Sequence, residues 1–144
     1  MNPGIFLPFH ILILLFALWN IYKADHLGLA WLLGKKEILD ERTVLRYHHR
    51  IWLALFGMIA TGFVLFYPMR EFLLTRPQFF AKMGFVAALL LNSVAITFLQ
   101  KRATRSAFAD LSFSQKAPLF VSGAISVTGW LGAIVMAFFL VPEY

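Results

Sequence analysis

The sequence predicts an all-α fold: an integral membrane four-helix bundle with both termini outside. Three observations carry that reading. Of the 144 residues, 60% are hydrophobic and 14% are charged, and the mean hydropathy is +0.75. A soluble domain of this length exposes too much surface for so few polar side chains to cover, so a lipid bilayer is the expected partner. The apolar residues also gather into four runs of spanning length, and the cations collect in alternate loops. One domain, 1–144, accommodates all of it.

Crossing a hydrocarbon core of about 30 Å takes about 20 helical residues. The first run, IFLPFHILILLFALW, opens a helix over about 5–27. No basic residue precedes it and no small-x-small site follows, so it reads as a retained span rather than a cleaved signal. It runs into NIYKADHLG, residues 20–28, where Lys23, Asp25 and His26 mark a membrane boundary. Lys35-Lys36-Glu37 through Arg42 form the first polar loop, and a second helix covers about 50–67. Pro68 and Pro77 bracket the second loop, because proline lacks the donor that continues a helix. The third helix covers about 79–99, followed by QKRATRSAFADLSFSQK, in which Asp110 or Ser112 begins a short turn. The fourth covers about 117–141, with Pro118 in its first turn. In lipid each backbone must satisfy its own hydrogen bonds, which makes the spans helices.

Orientation follows from the cations. Lys35, Lys36, Arg42 and Arg46 fall in the first loop and Lys101, Arg102, Arg105 and Lys116 in the third, against Arg70 and Arg76 in the second. The first and third loops are therefore expected on the cytoplasmic side of a bacterial inner membrane. Ser122, Ser126, Gly129, Ala133 and Ala137 form a small-residue seam on the fourth helix, and Gly57 and Thr61 play that part on the second. Trp31, Trp52 and Trp130 read as interface anchors, with Trp19 deeper.

The net charge of +6 is accounted for by loops facing anionic lipid, and no basic helix or nucleic-acid motif accompanies it. Nucleic acid is not an expected partner. The absence of cysteine excludes a disulfide framework, a thiolate metal site, a c-type haem attachment and a cysteine nucleophile.

Two levels of polar residues need a reason. The inner one holds Asp25, His26, His48, His49 and Arg50; the outer one holds His10 and Lys82, with Asn92 deeper. At the inner level, Asp25 can pair with Arg46 or Arg50 and the histidines can sit among headgroups. Alternatively, two imidazoles from facing helices can take the axial positions of a haem b, His26 with one of His48 and His49 on the iron. Arg42, Arg46 and Arg50 recur every four residues, a cationic stripe suited to haem propionates. His10 is a candidate for a second haem or porphyrin, with Lys82 binding a carboxylate.

The pattern resembles a group of small four-helix membrane proteins, the HemJ-type protoporphyrinogen oxidases and the CopD-like copper-resistance domains. The resemblance rests on His10 in the first helix, VLRYHHRIW entering the second, Thr61-Gly62 within it, and Lys82 in FFAKMGFVAALLLN. It implies haem b and porphyrin oxidation, and of the site residues it carries over only His10 and Lys82. This chain has Leu91-Asn92 where that pattern places Tyr-His, and it adds the DHLG and WLLGKK elements. The leading expectation is thus a haem b protein in membrane electron transfer or porphyrin redox chemistry. The competing ones are a small transporter or channel subunit using Asp25, Lys82 and Asn92, and an accessory structural subunit. A second copy or a larger membrane complex is open as a partner.

Overall fold

The computed structural model describes residues 5–140, and among them the fold is all-α. α1 spans Phe6–Leu32, α2 Glu41–Leu73, α3 Pro77–Ala103 and α4 Phe113–Phe138, with a 3-10 turn at Phe108–Asp110. Each long helix is long and apolar enough to cross a membrane. Polarity runs opposite to that of a water-soluble bundle. Asn20, Asn92, Ser93 and Ser122 are buried, while Phe63, Leu91 and Phe98 point outward at 66%, 74% and 66% exposure. Such an exterior is an aggregation surface in water and an ordinary one in lipid, where packing and polar contacts belong inside.

The helices outrun their apolar stretches. α1 does not end at 27; it passes through Lys23–His26 to Leu32. Nothing in LGLAWL breaks a helix, and the stop comes at Gly34, whose φ of +70° is the left-handed conformation that closes helix ends. There the Lys35 amide donates to Ala30 O at 2.9 Å. Charge at 23–26 therefore marks a change of surroundings, not of backbone. α2 begins at Glu41 rather than 50, because Asp40 caps it: the Thr43 amide donates to Asp40 Oδ2 at 2.8 Å and the Thr43 hydroxyl donates to the same oxygen at 2.6 Å. Arg42, Arg46 and Arg50 accordingly lie on helix, not loop, and all three are exposed.

Pro68 sits inside α2, which continues to Leu73. A proline removes one helical hydrogen bond, whereas ending the helix there would strand four carbonyls. Pro77 does begin α3. The last helix starts four residues early, behind Ser112, whose amide donates to Gln115 Oε1 at 2.9 Å, and Pro118 lies within it.

α1 packs mainly on α2 and α3 mainly on α4, with α2–α3 contacts fewer. The fold is two helical hairpins laid together. In each the partners run antiparallel: Ile13 meets Gly57 while His10 meets Thr61, and Phe85 meets Gly132 while Asn92 meets Ser122. One buried cluster, Ala17, Ala54, Leu55, Leu89 and Trp130, draws on all four helices. A second, Trp31, Leu39, Ala103 and Leu111, closes the end that carries the 33–40 and 104–112 connections. Those connections are tied together there. The Leu39 amide donates to Ala103 O at 2.8 Å, and the Trp31 indole donates to Ser106 O at 3.0 Å.

Two tryptophan assignments change as a result. Trp31 and Trp130 are core residues, 3% and 8% exposed, while Trp19 stands outward at 59% with the Lys23 ammonium 4.8 Å from its ring centre. A large ring buries much apolar area, and the Trp31 N–H has a carbonyl partner in Ser106 O. Within the seam, Ser122, Gly129 and Ala133 are buried. A Cβ on Gly129 would lie 2.8 Å from Leu89 Cγ, so backbone and side chain touch there. Gly132, outside the seam as read, makes an equally close approach to the Phe85 ring.

Candidate functional site

The polar residues fall at two ends of the bundle. Near the chain termini, α1 contributes His10, α2 contributes Thr61 and Gly62, and α3 contributes Lys82. His10 Nδ1 lies 2.7 Å from Thr61 Oγ1, and the Thr61 hydroxyl is itself 2.7 Å from Gly57 O. Threonine in a helix donates back to the carbonyl one turn earlier, which leaves its oxygen only as an acceptor for the imidazole. Hydrogen counting therefore puts the ring proton on Nδ1 and leaves Nε2 a free lone pair. A Cβ on Gly62 would lie 3.6 Å from His10 Cε1, an ordinary van der Waals contact, so the ring packs alongside that stretch of α2. Lys82 stands near the start of α3, at the same end of the bundle. Half-buried on α3, it has no carboxylate within ion-pair distance among the described residues.

At the opposite end lie the five remaining candidates from α1 and α2. His48 is half-buried; its Nε2 accepts the Trp52 indole N–H at 3.0 Å and lies 3.0 Å from Thr97 Oγ1. An indole nitrogen only donates, so His48 is neutral with its proton on Nδ1, and the Nε2 lone pair is engaged. His49 is exposed and its Nδ1–H donates to Leu45 O at 2.8 Å. His26 is exposed too, stacked on Tyr22 with ring centres 6.3 Å apart. Among the described residues no hydrogen bond or ring contact joins His26 to either histidine of α2, whereas His48 and His49 meet edge-to-face at 6.5 Å. Arg46 and Arg50 face outward.

The Asp25–Arg pairing does not form. The one ion pair among the described residues is Arg70–Glu71 at 3.9 Å, because Arg46 and Arg50 turn away from the bundle while Asp25 borders a cavity. That cavity, about 250 Å³, lies between the hairpins and is bordered by all four helices, with Asp25, Trp31, Tyr47, His48, Gln100 and Trp130 among its walls. Asn92, also on the wall, is committed elsewhere. Its Nδ2 donates to Ser122 O at 3.0 Å and its Oδ1 accepts from Ser122 Oγ at 2.8 Å, a buried clasp between α3 and α4.

Sequence reasoning placed His10 and Lys82 at one level, and they stand near the starts of α1 and α3. It missed the partnership of Trp52 with His48, though the i, i+4 spacing carried the signal. It also missed the Asn92–Ser122 clasp, for which a single sequence offers no signal across thirty residues. No group of three or more His, Asp or Glu side chains suited to a metal ion occurs among the described residues.

Fold and site together define a class: an all-α chain of four helices of spanning length, apolar outside and hydrogen-bonded within. No family model, curated protein or solved structure matches the chain.

Proposed function

We propose that the chain is a multi-pass protein of a bacterial cytoplasmic membrane, both termini outside, that binds haem b or a related porphyrin through His10. The reading rests on one observation. The His10–Thr61–Gly57 relay fixes the imidazole with Nε2 unprotonated, which is how ligating histidines are held in metal sites. Lys82, at the same end of the bundle, is the cation for a propionate. When bound, haem supplies one-electron redox chemistry; the protein's residues orient the ligand, hold the carboxylate and exclude water. At the other end His49 has a comparable hold through Leu45 O but stands exposed on α2, and His26, also exposed, has only the Tyr22 ring beside it. The orientation is favoured by Lys35, Lys36, Arg42, Arg46, Arg50, Lys101, Arg102, Arg105 and Lys116 crowding the end with the 33–40 and 104–112 connections.

The test is an absorption spectrum of protein purified in mild detergent from haem-replete cells, oxidised and then dithionite-reduced. A near-stoichiometric Soret band with reduced α and β bands, lost in His10→Ala and retained in His26→Ala, supports the reading. Protein that is colourless and takes up no added haemin sinks it. Cysteine labelling from either side of the membrane at Thr75→Cys and Ser114→Cys tests the orientation.

A further inference from the structure

We infer that the cavity between the two hairpins binds a primary ammonium carried on a small apolar body. This site is separate from the one at His10: Asp25 lies fifteen residues further along α1, about 22 Å at 1.5 Å per residue.

The charge on its walls is the first argument. The chain has 13 Lys and Arg against 7 Asp and Glu, yet no Lys or Arg borders the cavity, and Asp25 is its one carboxylate. Among the described residues no cation lies within ion-pair distance of Asp25. Asp25 is itself exposed, so it stands at the rim of the cavity, where its charge draws a cation to the entrance. The walls select against an anion, and a neutral apolar guest would make no use of that charge.

The remaining wall chemistry points the same way. Gln100 borders the cavity and its Oε1, shielded from water, meets no donor among the described residues. His48 Nε2 is an acceptor already served by Trp52. With that lone pair taken, Asp25 and Gln100 Oε1 remain as acceptors on the walls, and an ammonium brings three N–H donors. Trp31, Tyr47 and Trp130 add π-faces that attract a cation and cover its apolar body. At about 250 Å³ the space falls just under the usual range of about 300–1,000 Å³ for drug-sized ligands, which limits the guest to a small arylalkyl or alkyl amine, or to a headgroup amine entering from lipid.

Isothermal titration of the full chain in mild detergent with 2-phenylethylamine, protonated at pH 7, and with neutral 2-phenylethanol tests this. The expected result is saturable amine binding, at least tenfold stronger than that of the alcohol. Asp25→Asn should weaken the amine at least tenfold and leave the alcohol unaffected, while Asp25→Glu retains the preference. Repeating the titration in phosphatidylglycerol nanodiscs, with and without phosphatidylethanolamine, separates the two sources. Competition by phosphatidylethanolamine assigns the site to a lipid headgroup; unchanged binding assigns it to a soluble amine. Equal binding of amine and alcohol, undiminished amine binding by Asp25→Asn, or no saturable binding in wild type overturns the inference.

Discussion

The Trp52 indole donates to Nε2 of His48, one turn earlier on α2, at 3.0 Å. That bond sets the tautomer of a histidine wedged between two helices, with Thr97 of α3 on the same nitrogen. Trp52→Phe removes the donor, and Thr97 Oγ1 can then accept a proton from Nε2. Histidine ¹⁵N spectra are expected to show the Nδ1–H form in wild type and growth of the Nε2–H form in Trp52→Phe. A wild-type Nε2–H signal for His48 would refute the arrangement.

Thr61 has the complementary task at His10. Thr61→Val keeps the shape but removes the acceptor for Nδ1–H. Under the haem reading, haemin affinity should fall roughly 10–100-fold, while Thr61→Ser stays close to wild type. Haemin titration followed at the Soret band measures both. Equal affinities for the valine and serine variants would show that the relay does not support ligation.

The Asn92–Ser122 clasp holds α3 to α4 with two hydrogen bonds. A double-mutant cycle with Asn92→Leu and Ser122→Ala should return a coupling of about 0.6 kcal/mol, and no more than about 1.7, the range for such bonds in membranes. Reversible unfolding in mixed micelles is the measurement; because Ser122→Ala keeps the backbone acceptor, the cycle reads the Ser122 Oγ–Asn92 Oδ1 bond alone, and a coupling of zero would mean that this bond does not hold in solution.

Two glycines of α4 should respond in opposite ways to one methyl group. At Gly129 it meets Leu89 Cγ at 2.8 Å, while at Gly123 nothing lies within 4 Å. Gly129→Ala is expected to cost about 1–3 kcal/mol by overpacking. Gly123→Ala should be neutral or gain up to about 1 kcal/mol from helix propensity. Thermal unfolding in detergent orders the two.

Asp40 carries a pH dependence. Hydrogen bonds from the Thr43 hydroxyl and then the Thr43 amide hold its carboxyl below its ordinary value of 3.8. A lowered folded-state pKa stabilises the cap fully above the unfolded value, and that contribution is lost as pH falls through the lower, folded value. The Thr43 amide shift in NMR should thus hold steady from pH 7 to about 4 and move only in more acid solution. In Asp40→Asn, which still caps, the step should vanish.

The four helices were legible because each carries an apolar run long enough to cross a membrane. Their ends were not, because hydropathy reports the solvent while capping reports the backbone. Asp40 with Thr43, and Ser112 with Gln115, were present in the sequence as cap signals but lay beyond the apolar runs. His10 was legible as a polar group set in an apolar run, but its partner Thr61 was read only as a packing residue. Asp25 was legible as an oddity, but its surroundings were not. Which face of α1 it occupies relative to Arg46 and Arg50 depends on how α2 is rotated, and packing at Gly57 and Thr61 sets that rotation.

The tie from Leu39 to Ala103 and from Trp31 to Ser106 has a consequence for biosynthesis. A ribosome completes Trp31 and Leu39 long before their acceptors exist, so the first hairpin enters its surroundings with that end unfastened. Only when α3 has been made in full can the second hairpin close the latch. The latch thereby distinguishes a finished chain from a truncated one: a nascent product stopped within residues 74–76 lacks both acceptors, Ala103 O and Ser106 O, and keeps that end open. Cut at that same connection after synthesis, the two halves would each retain a complete hairpin and half of the latch, and so carry what they need to find one another.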